Sequence, residues 1–577
     1  MMPRLGVADD VLLAAPLARP SDADALTSEA LVNCLVREVS MPERQVWPHG
    51  PYLLVRLARA GRLLRVRQLR QSAGVSPRVT GDVAELRDGS WQPIGWYGLA
   101  AVIAEELSLF AGHQNDEFVA QVMASHAAIT AVAECSSGQV LPTVRGEVPG
   151  MGEGDLLIQR YVASEQALIA GHRFHPAPKA RQGRPDEWLR YAPEAGAGFP
   201  LRFLAVRADV VAEEGEVTAL ARLGPAPPDG FRLLPAHPWQ LSMLEGHHQF
   251  RSAMAGGLLR DLGPGSHHVV PTSSVRTVYD PAADLFCKFS LDVRITNCVR
   301  KNAWYELTGA VTLTRLLGPV FTDIAALFPG TVLLGEPGYR TASLADRRCL
   351  EGLAVIVRDG LRGHLRPDVT PLLAAALTEP HATLFDGRDA GWLAAWWEAY
   401  LQQVALPALH AYLAHGVVLE PHLQNVLIGI DDAGQPVQAI FRDLEGVKLL
   451  VERHRAALDP LPGRVAEVLA ADRERGWNRV VYCLIVNHLG ELAAAIADRH
   501  VGLEAGLWRC ARSVLDRYAR GHGCPAPLRA LLAGVPLPAK ANLRTRWARA
   551  ADRYATYVHV PNPLGAAPPV PAPRCHG

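Results

Sequence analysis

This 577-residue sequence lacks a net charge, a paired-cysteine motif and an unbroken apolar run of about 18 residues, the span of a membrane helix. Lys plus Arg and Asp plus Glu each number 58, so no net field points to nucleic acid or an anionic membrane, and anion binding must come from local patches. The nine cysteines are odd in number and scattered, with no CxxC. That argues against a disulfide framework and a zinc or iron–sulfur centre, and it fits a reducing compartment, the cytoplasm. The missing apolar run argues against a membrane span. The short apolar stretch Val11–Ala18 follows Asp9 and Asp10, where an export signal carries Lys or Arg, so no export signal is expected.

What remains is the composition of a folded protein, with 49% hydrophobic and 20% charged residues, and a length that suits several cores. The expected fold class is α+β and multidomain. Residues 1–145 read as an N-terminal α+β domain with strand-like runs Pro51–Ala58 and Arg62–Leu69. Residues 146–355 read as sheet-rich, with runs Leu201–Val206, Phe231–Leu234, Val269–Pro271 and Leu285–Leu291. Residues 356–560 read as mostly helical. There Asp389–His415 sets Trp392, Trp396, Tyr400, Val404, Leu409 and Tyr412 at near-helical spacing, a core stripe kinked at Pro407 and closed by Gly416. Residues 561–577 read as a disordered Pro/Ala-rich tail. The glycine-rich Val148–Asp155 lacks the Lys-Ser/Thr ending of a P-loop and reads as a turn.

Two segments concentrate chemistry. His415–Glu445 reads as helix end, short strand, loop and a hairpin turning at Asp431–Gly434, followed by Arg442 and Asp443. Glu420, Asn425 and Asp443 have the spacing of a kinase-like catalytic loop, in which an Asn and an Asp hold Mg²⁺ on ATP. The competing reading makes them turn and capping residues. His422 and Gln424, in the loop between, are candidates for hydrogen bonding a carboxylate or hydroxyl. The other segment is Thr272–Arg300. Ser273, Ser274, Arg276 and Thr277 lead through a turn at Asp280–Asp284 back to Lys288, a set suited to a triphosphate; an exposed hairpin with ordinary charges is the alternative. Thr296, Asn297 and Arg300 are expected where this strand gives way to a helix whose N-terminus favours anions.

Gly171–Gly183 carries His172 and His175, then Lys179 and Arg181; no further His or Cys pair completes a zinc site, so His172, His175 and Lys179 are read as anion contacts in an extended loop. His237–Gln240 (HPWQ) reads as structural. Lys540 precedes an expected basic helix, Arg544–Arg553, with a solvated face, and is a candidate to reach back into a cleft.

In order along 145–545, GHxxHPxxKxRxG (171–183), HPWQ (237–240), SSVRT (273–277), Lys288 with TNxxR (296–300), ExHxQN (420–425), RDxE (442–445) and PxKAxL (538–543) together resemble the siderophore synthetases that work without a peptide synthetase, the aerobactin-synthetase (IucA/IucC) family. One departure is the ARQG after Lys179, followed by Arg184, where many relatives have Ser-Arg and a bulky residue.

The resemblance implies a cupped hand of thumb (1–145), fingers (146–355) and palm (356–560), a homodimer, and an enzyme using ATP and Mg²⁺. It would adenylate citrate, a related polycarboxylate or its monoamide, then condense it with an amine or alcohol, with no nucleic-acid or membrane partner. It places His172, Ser274, Arg276, Thr277, Lys288, Arg300, Gln424, Asn425 and Asp443 on the nucleotide. Thr296, Arg300, His422, Gln424 and Lys540 fall on the carboxylate substrate, and Asn425, Asp443 and Glu445 on the metal; Lys288, Arg300 and His422 are the catalytic candidates. Two other classes stay open: a kinase-like phosphotransferase releasing ADP, although Val417 stands where an HGD motif has its Asp, and a non-catalytic or redox siderophore-handling protein, which would need clustered cysteines.

Overall fold

A computed structural model describes residues 22–136, 155–295, 298–551 and 554–565, with only the backbone for 136, 294, 295 and 298–300. Val11–Ala18, all of Val148–Asp155 but its last residue, Thr296, Asn297 and the side chain of Arg300 therefore lie outside the described residues.

Helices and antiparallel sheets are mixed, as expected of an α+β chain. Tyr52–Leu57 and Arg62–Arg70 form the central hairpin of a five-stranded meander from Val46–His49 to Ser90–Pro93. Alternate residues Leu53, Val55, Leu57, Leu64 and Val66 are buried against the helices Asp22–Leu35 and Trp96–Ala111. Leu543 and Trp547, from near the other end of the chain, complete that core.

The second sheet has eight strands, in the order Val211–Gly215, Gly338–Ala342, Val355–Arg358, Leu285–Phe289, Thr277–Asp280, Leu259–Pro271, Phe199–Arg207, Phe231–Ala236. The run read as one strand over Leu285–Leu291 is cut at Ser290, whose hydroxyl donates to the Glu351 carbonyl at 2.6 Å; the chain resumes as Leu291–Ile295. That strand pairs with Cys298–Arg300. The helix expected at Thr296–Arg300 begins instead at Trp304, where the Glu306 carboxylate accepts from the Ala303 N–H at 3.0 Å. Arg300 thus ends a strand, four residues before that helix begins.

The largest core lies in the C-terminal half and contains Trp396, Trp397 and Tyr400, all fully buried. Asp389 caps their helix by accepting from the Trp392 N–H at 2.8 Å. Pro407 is accommodated by a widened π-helical turn, Leu401–Ala405, just before it; proline has no N–H to give and crowds the carbonyl one turn back. Gly416 closes the run at φ +68°. A four-stranded sheet joins this core, ordered Thr331–Leu333, Pro436–Phe441, Val426–Ile430, Thr370–Leu373. Its first strand comes from before residue 355, so the two halves interlock.

Two further expectations change. The basic helix spans only Asn542–Trp547; Arg546 is buried against Gln121, and Arg544 stacks on Phe110 at 4.4 Å, so this face packs on the N-terminal helices. The tail is ordered through 565, because Leu564 buries fully and its carbonyl accepts from Arg512. Glu117–Cys135, Trp304–Leu327 and Arg473–Arg499 are long and apolar enough to cross a membrane by length and composition, which a search for unbroken apolar runs misses. In the third, 94% of the apolar window is already covered by protein.

Candidate active site

Register in the eight-stranded sheet selects the first wall of the site. Thr277 pairs with Lys288, Lys288 with Ile356, and Phe286 with Arg358. Side chains alternate along a strand, so Val278, Leu285, Cys287, Phe289, Val355 and Val357 fill the core below, and Thr277, Lys288 and Arg358 share the opposite face. The preceding turn is tight. Val275 adopts φ +67°, Thr272 Oγ1 donates to the Thr277 carbonyl at 2.9 Å, and Ser274 Oγ accepts from the Thr277 N–H at 3.3 Å.

The opposing wall is the loop and hairpin after Gly416. Val426–Ile430 and Pro436–Phe441 pair antiparallel around the Asp431–Gly434 turn, with Gly434 at φ +79°. The loop is anchored from behind by His488, whose Nδ1 donates to the Pro421 carbonyl at 2.7 Å while Nε2 accepts from Tyr400 Oη at 2.5 Å. Asn425 Nδ2 donates to the Glu420 carbonyl at 3.2 Å, and the Arg442 N–H to the Asn425 carbonyl at 3.0 Å. Asp443 sits at φ +73°, a strained conformation for a residue with a Cβ and one that tends to mark functional positions.

The two walls meet. Lys288 Nζ lies 2.6 Å from Asp443 Oδ1, 3.3 Å from Glu445 and 3.7 Å from Glu336. Arg358 lies 2.5 Å from Glu336 and 3.5 Å from Asp443. Arg276 bonds Asn302 Oδ1 at 2.9 Å and pairs with Glu445. Gln424 Nε2 reaches Ser273 Oγ at 3.3 Å. Glu165, on the helix Leu156–Gln166, ties both walls by accepting from the Ser273 N–H at 2.9 Å and pairing with Arg442.

Charge pairing outweighs burial here. Burial alone would push the Asp443 carboxyl up, but Lys288, Arg358 and Arg276 hold it well below the usual carboxylate range. Burial would likewise lower Lys288, yet Asp443, Glu336 and Glu445 raise it, so it stays cationic. Glu306 is pushed up to about 7 by burial and by Glu445, and Lys448 down to about 8 by burial and Arg479.

His172, His422 and Lys540 form a neighbouring group. Burial, then the charges of His175, Arg37, His422 and Lys540, pushes His172 down; His422 is also lowered by burial, against the opposing pull of Glu420 and Asp443. The His172 side chain itself keeps accessible surface.

Lys179 does not join it as an anion contact, and neither does its neighbour Arg181. Both pair with Glu194, at 3.0 and 2.6 Å, and His175 Nδ1 accepts from the Ala177 N–H at 3.1 Å. HPWQ is structural: His237 caps the helix Pro238–Glu245, Trp239 stacks on Tyr191, and Gln240 Oε1 accepts from the Asp292 N–H at 2.7 Å. Motif reading missed Arg358, Glu336, Asn302, Glu165 and Glu306. The one available signal was a charge ending an apolar strand, as at Arg358.

Asp443, Glu445 and Asn425 Oδ1 offer oxygens, the donor type a hard cation takes, and Glu336 Oε2 close by is buried without a hydrogen-bond partner. Among the described residues, one group of three other ligating side chains occurs, His247, Asp346 and Cys349. There the two ring nitrogens face different partners, Cys349 Sγ at 3.3 Å and Asp346 Oδ2 at 3.0 Å, which is a hydrogen-bonded relay and not a chelate.

The IucA / IucC family model matches residues 160–379, which carry the first wall. An L-2,3-diaminopropanoate–citrate ligase from Staphylococcus aureus is 32% identical over 444 residues, 71% of this chain and 75% of that protein. The chain belongs to the IucA/IucC family. Among other members, the rhizobactin siderophore biosynthesis protein RhbC of Rhizobium meliloti is 28% identical over 94% of this chain and 98% of its own length. The fold agrees with that of ATP-bound aerobactin synthetase IucA from Klebsiella pneumoniae, with a TM-score of 0.81 at 24% identity, covering 94% of this chain and all of that one. A second model, the ferric iron reductase FhuF-like transporter, matches 394–555 of this IucA/IucC chain; the group of ligating side chains described above lies outside that stretch.

Proposed function

We propose that this chain is an ATP-dependent ligase of siderophore biosynthesis. It adenylates a carboxyl of citrate, a related polycarboxylate or its monoamide, and joins it to an amine or alcohol, releasing AMP and pyrophosphate. The observation that carries this reading is the approach of Lys288, Arg276 and Arg358 to Asp443 and Glu445 where the two walls meet, in a chain whose relatives are named citrate ligases. In the first step a substrate carboxylate oxygen bonds to the α-phosphorus and the bond to pyrophosphate breaks; in the second the amine or hydroxyl displaces AMP and loses its proton.

Lys288, Arg276, Ser274, Thr277 and Arg300 cradle the phosphates, with Gln424 and His172 beside them; preorganised charge of this kind lowers the barrier where charge builds on the leaving group. Mg²⁺ held by Asn425, Asp443 and Glu445 would offset triphosphate charge. Thr296, Arg300, His422, Gln424 and Lys540 take the acid.

The kinase-like alternative needs Glu420 as catalytic acid or base. Its carboxylate is instead paired with Arg479, Nε at 2.6 Å, and held below its usual range: burial raises it, and Arg479 and His422 outweigh burial. The reading extends to the cupped-hand arrangement of thumb, fingers and palm, to a homodimer and to a cytoplasmic setting; sedimentation of the purified chain tests the dimer. Chromatography of nucleotides after incubation with ATP, Mg²⁺ and a panel of acids crossed with amines tests the chemistry. AMP and pyrophosphate formed only with a polycarboxylate support the ligase. ADP formation, or no acid-dependent turnover across the panel, overturns it.

A further inference from the structure

Arg37 is a buried cation that makes no ion pair among the described residues, unlike Arg181, whose Nε and Nη1 are also unmet but which pairs with Glu194. Arg37 lies on a π-helical turn, Val36–Ser40, that continues the first helix, and it is 2% exposed; such turns recur at functional sites. Nη2 donates to Ser76 Oγ at 2.8 Å, and the guanidinium lies over the Phe174 ring at 3.1 Å. Nε and Nη1 have no hydrogen-bond partner among the described residues. The nearby carboxylates are engaged elsewhere: Glu38 accepts from the Leu543 and Arg544 N–H groups, and Glu491 faces Arg78 and Arg173. Burying a guanidinium with two donor atoms unmet is costly, so such an arrangement in a native fold calls for a ligand.

The neighbours indicate which ligand. Phe174 gathers three segments distant in sequence: its ring lies under the Arg37 guanidinium, His172 stands two residues before it, and its carbonyl accepts from Asn542 Nδ2 at 2.8 Å, two residues after Lys540. His172 Nδ1 accepts from the Phe174 N–H at 3.0 Å, which fixes a neutral ring with its proton on Nε2, a donor. The surroundings therefore offer cations and donors to an anion.

We propose that Arg37, from the N-terminal domain, binds a carboxylate of the polycarboxylate substrate other than the one being activated, with Lys540 and His172 Nε2–H completing the subsite. The substrate class rests on the ligase reading above; the anion subsite rests on the geometry of Arg37 alone. The enzyme then selects acids carrying a second carboxylate, and the N-terminal domain becomes part of the binding site.

The test is calorimetric titration of the full chain with citrate, without nucleotide, and separately with ATP, for the wild type, Arg37→Met and Arg37→Lys, together with their melting temperatures. Citrate should bind the wild type and bind Arg37→Met at least tenfold more weakly, with a smaller loss for Arg37→Lys and unchanged ATP affinity. Arg37→Met should melt at or above the wild-type temperature, because it replaces an unpaired buried cation with an apolar chain of similar length. A structural arginine predicts the opposite shift. Wild-type citrate affinity in Arg37→Met, no citrate binding by the wild type, or a fall in melting temperature with loss of ATP binding overturns the subsite. Citrate binding that depends on Arg37, without pyrophosphate release in the product assay, sinks the ligase reading and leaves the subsite standing. Pyrophosphate release with an unchanged KM for citrate in Arg37→Met does the reverse.

Discussion

Lys288 and Asp443, 155 residues apart in sequence, form one ion pair that spans the eight-stranded sheet and the C-terminal hairpin. The lysine is almost wholly buried, and three carboxylates share its charge. Removing it therefore affects both the fold and the chemistry.

Lys288→Met leaves Asp443, Glu336 and Glu445 without their shared cation. Breaking a buried pair from one side costs about 3–5 kcal/mol, which urea unfolding would measure. Turnover should fall about 10²–10³-fold through lost charge stabilisation. Adding Asp443→Asn should recover part of the stability and none of the pyrophosphate release. Additive stability losses in the double variant would contradict the pairing.

Gly446 supports the loop that carries Glu420. A Cβ at 446 would stand 1.5 Å from Glu420 Oε2 and 2.1 Å from its Cδ, so Gly446→Ala must drive Glu420 off Arg479. The expected loss is about 1–3 kcal/mol, the usual cost of overpacking. In a Glu420→Ala background the same change should cost less than about 0.5 kcal/mol. Equal melting shifts in both backgrounds would locate the strain elsewhere.

Glu38 gives stability a pH dependence. Burial raises its carboxyl to about 7, despite the two backbone N–H donors of Leu543 and Arg544. The folded state then holds a proton that the unfolded chain has released above its ordinary value near 4.5. Stability from this group is thus present at low pH and declines as pH rises to about 7, by about 3 kcal/mol in full. Glu38→Gln should flatten that decline, so its melting temperature gains on the wild type between pH 5 and 7.5. A constant difference would remove Glu38 as the cause.

Local signals were legible wherever a turn or cap is encoded by neighbours in sequence. The hairpins at Asp280–Asp284 and Asp431–Gly434, the aromatic stripe behind Asp389 and the stop at Gly416 all follow from residues a few positions apart. The reading failed where a distant partner decides. Thr296–Arg300 was expected to start a helix, but Cys298–Arg300 pairs back on Leu291–Ile295. Lys179 reads as an anion contact by its neighbours but pairs with Glu194, and the arginines of 544–546 read as solvated but are covered by the N-terminal helices.

The amino-acid sequence by itself determined the short-range geometry, the family motifs and their order, because backbone turns and strand alternation depend on neighbouring residues. Only the tertiary structure decided which charges meet. Arg358 reaches Lys288 through strand register, Glu165 binds two walls at once, and Arg37 arrives from the opposite end of the chain. Electrostatic interaction depends on distance through space, and that distance exists only once the sheets and helices have packed.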